Sequence, residues 1–233
     1  MHLVFTCLGL LLIWTFTSLV PLFINEKYEK IHPGEQAAVS RLKKYISKLK
    51  PTLLLAALCL LTANAYTIPV FGALRIDLML SLMAIGLLAL DLCLQPLEWK
   101  LTPVGIRKRW LAFFPRTAKE RLFWIPISLI VAIAEEITYR AVFFGLLVEL
   151  SGNYWTAGII SALLFAIIHM SQGLPATFTV FFVALALQYL VIISGGLYIA
   201  IAIHFIHNII IGLVMGSALN RKSEAEIIDS LVE

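Results

Sequence analysis

The sequence predicts an all-α fold, a polytopic membrane helix bundle of about seven transmembrane helices around a polar cavity. Of the 233 residues, 61% are hydrophobic and only 14% are charged, against about half and about a quarter in soluble domains. The apolar residues form long blocks, which are typical of bilayer-spanning helices. Charged and polar side chains nevertheless lie inside some of these blocks. We therefore predict a single integral membrane domain over residues 1–233 and no separate soluble domain.

Seven apolar blocks are interpreted as the spans, because a helix that rises 1.5 Å per residue needs roughly 20 residues to cross the hydrocarbon. Three of them form an N-terminal group (1–97), and four form a second group (122–217) that follows a basic loop (98–121). The fourth block is long enough to tilt or break. Because the fifth and sixth blocks are short, an eighth pass or a re-entrant segment is an alternative to seven simple spans. The blocks are Leu3–Ile24, Thr52–Phe71, Asp77–Leu97, Leu122–Glu149, Tyr154–Ser171, Pro175–Ile193 and Gly196–Ser217.

The positions of lysine and arginine predict the orientation. Segments 25–51 and 98–121 each hold seven of these residues and the tail holds two, whereas the opposite side holds only Arg75. Because cytoplasmic loops carry the excess of positive charge, we expect the N-terminus outside and the C-terminus in the cytoplasm. The net charge of +4 is then explained by the bilayer as partner, and no nucleic acid is expected.

Within the first basic segment, apolar residues recur at helical spacing between the cations. They are Val39, Leu42, Ile46 and Leu49. The pattern fits an amphipathic helix on anionic lipid and fits equally a solvated basic loop.

The fourth block contains a glutamate pair and an arginine. Charged groups inside a bilayer are costly and face the bundle interior or a cavity. Glu136 and Arg140 are four residues apart and share a helix face, so they can pair. Glu135 points about 100° away from Glu136, which leaves Glu135 available as a proton acceptor. An ion-paired group that only holds helices together is the alternative.

Histidines lie on two further blocks. His169 ends the motif Phe165-x-x-x-His169, and the seventh block carries His204, His207 and Asn208. A lone histidine in an apolar helix is more often a packed residue than a catalyst, but this clustering over three spans indicates one joint functional site. In the third block, Asp91 is interpreted as a snorkelling or capping residue, with a place at a cavity mouth as the alternative.

Together these residues resemble the CPBP family, the CAAX protease and bacteriocin-processing (Abi-type) intramembrane endopeptidases. The family pattern is Glu-Glu-x-x-x-Arg, then Phe-x-x-x-His, then His-x-x-x-Asn, and all three motifs occur here in that order. The resemblance covers roughly residues 100–217, and the first three helices carry no matching motif. It implies a peptide or protein substrate at the membrane. Because this short chain resembles the bacterial relatives more than the eukaryotic ones, it also implies a bacterial inner (cell) membrane.

The resemblance also implies the roles of the residues. Glu135 and His169 would activate the attacking water in a polar catalytic cavity, and His204 with Asn208 would stabilise the oxyanion. The implied structural group is Glu136, Arg140 and Phe165, and we expect His207 to pack behind the site. The family has been described both as metalloprotease and as glutamate-type protease. No cofactor is therefore certain, although Glu135, His169 and His204 are possible zinc ligands.

Two other functions compete with an endopeptidase. A catalytically silent scaffold or immunity-type binding protein would keep the site for a partner. A proton-coupled transporter also uses intramembrane carboxylates and histidines, but the internal repeats expected of many transporters are absent. The sequence predicts neither the substrate, nor whether it is prenylated, nor the oligomeric state.

Overall fold

The computed structural model describes residues 2–19 and 41–219, and within these ranges it is all-helical without strands. Nine α-helical segments follow one another along this part of the chain, which we number in order. They are α1 (His2–Trp14), α2 (Arg41–Ala65), α3 (Leu78–Leu101), α4 (Val104–Phe113), α5 (Ala118–Glu136), α6 (Phe144–Ser151), α7 (Tyr154–Ile167), α8 (Leu174–Ser194) and α9 (Tyr198–Ile209).

Five helical runs are long and apolar enough to cross a membrane: Arg41–Ala65, Leu78–Leu101, Ala118–Ser151, Leu174–Ser194 and Tyr198–Leu219. Two shorter apolar helices, His2–Ser18 and Tyr154–Ile167, correspond to the first and fifth predicted blocks. The prediction of a helical membrane bundle is thus confirmed. Large apolar side chains such as Phe178, Phe182 and Leu82 are well exposed on the outer surface, as expected where lipid is the solvent.

The largest difference from the predicted spans concerns the first basic segment. Residues 25–40 lie outside the described ranges, but residues 41–51 are not a loop, because they form the first turns of α2. Tyr45 on these turns is buried, donates to the carbonyl of Phe113 at 2.8 Å and packs edge-on against Trp124. Of the two interpretations left open, residues 41–51 have the helical conformation, but they pack against α4 and α5, and Val39 lies outside the described residues.

The segment 98–121 also differs from the predicted loop. It contains the last turn of α3, all of α4 and the start of α5. A capping box starts α5: the Thr117 hydroxyl accepts from the backbone N–H of Glu120, and the Glu120 carboxylate accepts from the N–H of Thr117. Such reciprocal caps satisfy N–H groups that the helix start leaves unpaired. Helix α5 is therefore held in register where it leaves the basic segment.

The long fourth block is not a uniform α-helix. It runs from Ala118 to Ser151, and its middle, Ile137–Phe143, is π-helical. A π turn disturbs the α-helical hydrogen-bond pattern, and such turns are frequent at functional sites. Here the Ser161 hydroxyl donates to the carbonyl of Tyr139 at 2.6 Å, and the Gln188 amide donates to that of Arg140 at 3.5 Å. Helices α7 and α8 are thereby tied to the centre of the fourth block.

A second π-helical stretch, Ile210–Met215, follows α9. Gly212 within it and Gly216 directly after it leave room for aromatic rings from other parts of the chain. A Cβ atom built on Gly212 would overlap the ring of Trp124, and one on Gly216 would overlap the ring of Phe114. The Trp124 indole donates to the carbonyl of Asn208 at 3.0 Å. The missing side chains therefore let α9 approach α5 closely.

Replacing Gly212 by alanine is expected to lower the free energy of unfolding by about 1–3 kcal/mol, because the hydrogen-bonded indole cannot move aside without strain. Gly86→Ala in α3 is the matched control, since nothing lies within 4 Å of a Cβ atom there. It is expected to be neutral or stabilising by roughly 0.5–1 kcal/mol. Thermal unfolding of both variants in the same detergent checks the difference, and equal midpoints would contradict the packing described here.

Candidate active site

A cavity of about 420 Å³ opens among α2, α3, α5 and α9 and receives the end of α7. All four candidate catalytic residues line it: Glu135, His169, His204 and Asn208. They come from three segments that are far apart in the sequence. The structure thus brings the predicted residues together in one place.

The two glutamates have different surroundings. The Glu136 side chain is fully buried, and its Oε1 lies 3.3 Å from Nη1 of Arg140 and 2.8 Å from Nδ1 of His204. Glu135 faces the cavity instead, with Oε2 3.6 Å from Nε2 of His204. His204 therefore lies between the two carboxylates. The fully buried carboxylate anchors this ring, and the other one stays in reach of the cavity.

Phe165 joins the three motifs. The Arg140 guanidinium lies over its ring, 4.1 Å from the centroid, at the distance of a cation–π contact. The rings of His169 and His204 lie 4.6 and 6.1 Å from the same ring, measured between centroids. Tyr139 packs against it at 5.0 Å and accepts a 2.8 Å hydrogen bond from the Trp14 indole. Phe165 is thus the common support of the arginine and both histidines.

His169 follows the end of α7, at the start of a short 3₁₀ turn. Its Nδ1 lies 2.8 Å from the carbonyl oxygen of Phe165. A carbonyl can only accept, so Nδ1 carries the proton of this bond. In the neutral ring Nε2 is then the acceptor. This tautomer suits a residue that takes up a proton.

Asn208 lies one helical turn after His204 on α9, and both line the cavity. The hydrogen bond from Trp124 to its backbone carbonyl fixes this turn against α5. Trp124 also lines the cavity, and the sequence analysis did not select it. The sequence near Trp124 does not distinguish a tryptophan at the membrane interface from one that lines a cavity, because both occur near the ends of spans.

The possible zinc ligands Glu135, His169 and His204 were also compared with what a metal requires. Over residues 2–19 and 41–219, no group of three or more His, Cys, Asp or Glu side chains is arranged to hold a metal ion. Nδ1 of His204 is held by Glu136 and Nδ1 of His169 by a backbone carbonyl, so Nε2 is the ring atom that each histidine presents to the cavity. Possible zinc binding by Glu135, His169 and His204 therefore stays a prediction, and no step below uses a metal.

His207 has a partner that the sequence analysis did not assign. Its Nδ1 lies 2.6 Å from Oδ2 of Asp91, although the ring is not oriented for a regular hydrogen bond. The preferred interpretation of Asp91 as a snorkelling or capping residue is wrong, because its side chain is buried and pairs with α9. Residue spacing within one helix cannot reveal such a contact, because the two residues are 116 positions apart and lie on different helices.

Glu98 was assigned to a loop and is another residue that was missed. It lies in the last turns of α3, is 9% exposed and lines the cavity. Asp91, Gln95 and Glu98 are spaced i, i+4 and i+7 and so share one face of α3. This spacing is the signal that would have found them.

The fold and the site together define a helical membrane protein with a polar, carboxylate- and histidine-lined cavity between its helices. Residues 117–210 match a family model, "Type II CAAX prenyl endopeptidase Rce1-like". The match contains all three motifs, so the resemblance predicted from the sequence is confirmed over this segment. At the level of the family it indicates an integral membrane enzyme of the CAAX protease type. No curated protein and no solved structure matched the chain.

Proposed function

We propose that this protein is an intramembrane endopeptidase that hydrolyses a peptide bond in a membrane-associated or lipidated peptide. Glu135 and His169 activate the attacking water, and His204 and Asn208 stabilise the oxyanion. The observation that carries the proposal is the convergence of these four side chains on one cavity. The match to a CAAX-type protease family over the same residues supports it.

The first step needs a base beside a water molecule. Glu135 faces the cavity and forms no ion pair with Arg140 among the described residues. Glu136 does form an ion pair with Arg140. His169 presents Nε2 as a second acceptor. Water adds to the peptide carbonyl, and its proton passes to Glu135. General bases of this kind contribute about 10²- to 10⁴-fold to a rate.

The second requirement is a donor pair for the charge that develops on the carbonyl oxygen. His204 donates from Nε2 when the ring carries both protons, with Nδ1–H held by Glu136. The side-chain amide of Asn208 is the second donor. When the intermediate collapses, the C–N bond breaks and the proton held by Glu135 moves to the leaving nitrogen. Atoms and charge balance without a cofactor, so the proposal is of a glutamate-type protease.

Glu136, Arg140 and Phe165 act by positioning in this proposal. The buried carboxylate holds the His204 ring, the guanidinium compensates its charge, and the phenyl ring supports the guanidinium. His207, which we expected to pack behind the site, lines the cavity and is paired with Asp91. The distribution of Lys and Arg supports a topology with the N-terminus outside and the C-terminus in the cytoplasm. The bacterial inner membrane is proposed from the resemblance alone.

Peptide termini in membranes of cells that express the wild type or Glu135→Gln at matched levels test the proposal. We expect a set of new termini that appears only with the wild type and that identifies the substrate. Identical profiles from two correctly inserted proteins would contradict it and favour the silent scaffold. Proton-dependent flux in vesicles that contain the wild type would instead favour a transporter.

A further inference from the structure

Helix α3 carries two buried carboxylates, Asp91 and Glu98, of which Glu98 lines the cavity. They lie two helical turns apart, about 10 Å along the axis. Asp91 is paired with His207 on α9. Glu98 takes part in none of the ion pairs formed between described residues. Among the described residues, the two acids therefore differ in that Asp91 forms an ion pair and Glu98 does not.

The Glu98 carboxylate is also incompletely hydrogen-bonded. Its Oε1 is buried and has no hydrogen-bond partner among the described residues, although 91% of the residue's surface is buried. Thr179 and Gln95 lie within hydrogen-bonding reach of the carboxylate. Buried polar atoms are rarely left unpaired, because the loss of hydration costs free energy. An unpaired oxygen on the wall of a cavity thus points to a donor that comes from a ligand.

The surrounding wall suits a long side chain that ends in a charge. Trp99 and Trp110 line the same cavity and offer aromatic surface. Lys48 shows how this wall receives an ammonium group, since its Nζ lies 5.4 Å from the ring centroid of Trp110 and 4.5 Å from that of Phe113. Aromatic faces attract cations and pack against methylene groups. A lysine or arginine of a substrate meets compatible surface on its way to Glu98.

We propose that Glu98 forms a specificity subsite that binds the cationic side chain of a lysine or arginine in the substrate peptide, an inference that rests on the proposed endopeptidase function. The cation donates to Oε1 and compensates the carboxylate. Glu98 touches no reacting atom in this arrangement. It selects substrates and places a basic residue of the peptide at a set distance from the scissile bond.

The test uses N-dodecanoyl hexapeptides of alanine and leucine in which lysine or its neutral isostere norleucine is placed at each position in turn. Binding is measured to the full-length Glu135→Gln protein in detergent, with and without Glu98→Gln. Cleavage is measured with the wild type and the single Glu98→Gln variant. For each protein preparation, the affinity for the lysine peptide is divided by the affinity for the norleucine peptide. This ratio does not depend on the fraction of the protein that is folded.

We expect one position at which lysine binds about 10- to 100-fold more tightly than norleucine, the range of a charge-assisted hydrogen bond. Glu98→Gln should bring this ratio close to one, mainly because the lysine peptide loses its advantage in binding. A ratio near one at all positions, or a ratio that Glu98→Gln leaves unchanged, overturns the inference. Cleavage of the peptides in that case would leave the endopeptidase proposal standing. Binding selectivity without any cleavage would instead support the subsite and contradict the endopeptidase.

Discussion

Replacing Glu135 by glutamine is expected to lower the rate of peptide cleavage by about 10²- to 10⁴-fold, the contribution of a general base. Glutamine keeps the size of the side chain and its place beside His204 but cannot accept the proton of the attacking water. The rate at saturating substrate should fall while substrate affinity changes little. Single-turnover cleavage of a peptide identified from the termini comparison measures both quantities.

The matched control is Glu149→Gln, a change of the same atoms at an exposed position of the same helical run. It is expected to leave the rate unchanged. Glu136→Gln is informative in a different way, because it removes the anchor of His204 and part of the compensation for Arg140. A Glu135→Gln protein that cleaves at the wild-type rate would rule out this residue as the base and with it the proposed division between the two glutamates.

Replacing Arg140 by methionine is expected to lower the free energy of unfolding by about 3–5 kcal/mol. The change leaves the Glu136 carboxylate buried without its cation, and breaking a buried pair from one side is strongly destabilising. Combining it with Glu136→Gln should restore much of the stability, because the uncompensated charge is then also removed. Reversible unfolding in detergent of both single variants and the double variant measures this coupling.

The exposed pair of Arg75 and Asp77 provides the control. Its atoms lie 3.1 Å apart, and the arginine side chain is 65% exposed. Arg75→Met is therefore expected to cost less than about 1 kcal/mol. If Arg140→Met were as harmless as this control, or if the double variant were as unstable as the sum of the single ones, Arg140 would not compensate Glu136 as the structure indicates. Restored stability without cleavage is expected of the double variant, since His204 has then lost its anchor.

The spacing of Glu135, Glu136 and Arg140 in the fourth block predicted which of these side chains pair and which one is left available. A spacing of four residues places Glu136 and Arg140 on one helix face, and the structure brings their charged atoms to 3.3 Å. Helical geometry also separated Glu135 from Glu136, and only Glu135 faces the cavity. Such contacts within one helix can be read from the chain because they depend on local geometry alone.

Contacts between helices could not be read in this way. Nothing in the local sequence shows that His204 lies between the two glutamates, that Asp91 pairs with His207, or that Glu98 reaches the cavity. The spans were likewise located, but not the π-helical stretches that follow Glu136 and Ile209. Those stretches depend on partners such as Ser161, Gln188 and Trp124, which come from other helices.

The sequence by itself determined that this chain is a helical membrane protein with three polar motifs of a protease family, because hydropathy and residue spacing are properties of short segments. Only the tertiary structure decided which carboxylate anchors His204, which one faces the cavity, and which one on α3 stays unpaired. The physical reason is that a buried charge is stabilised or left uncompensated by whatever neighbouring helices bring to it, and the packing of those helices determines that.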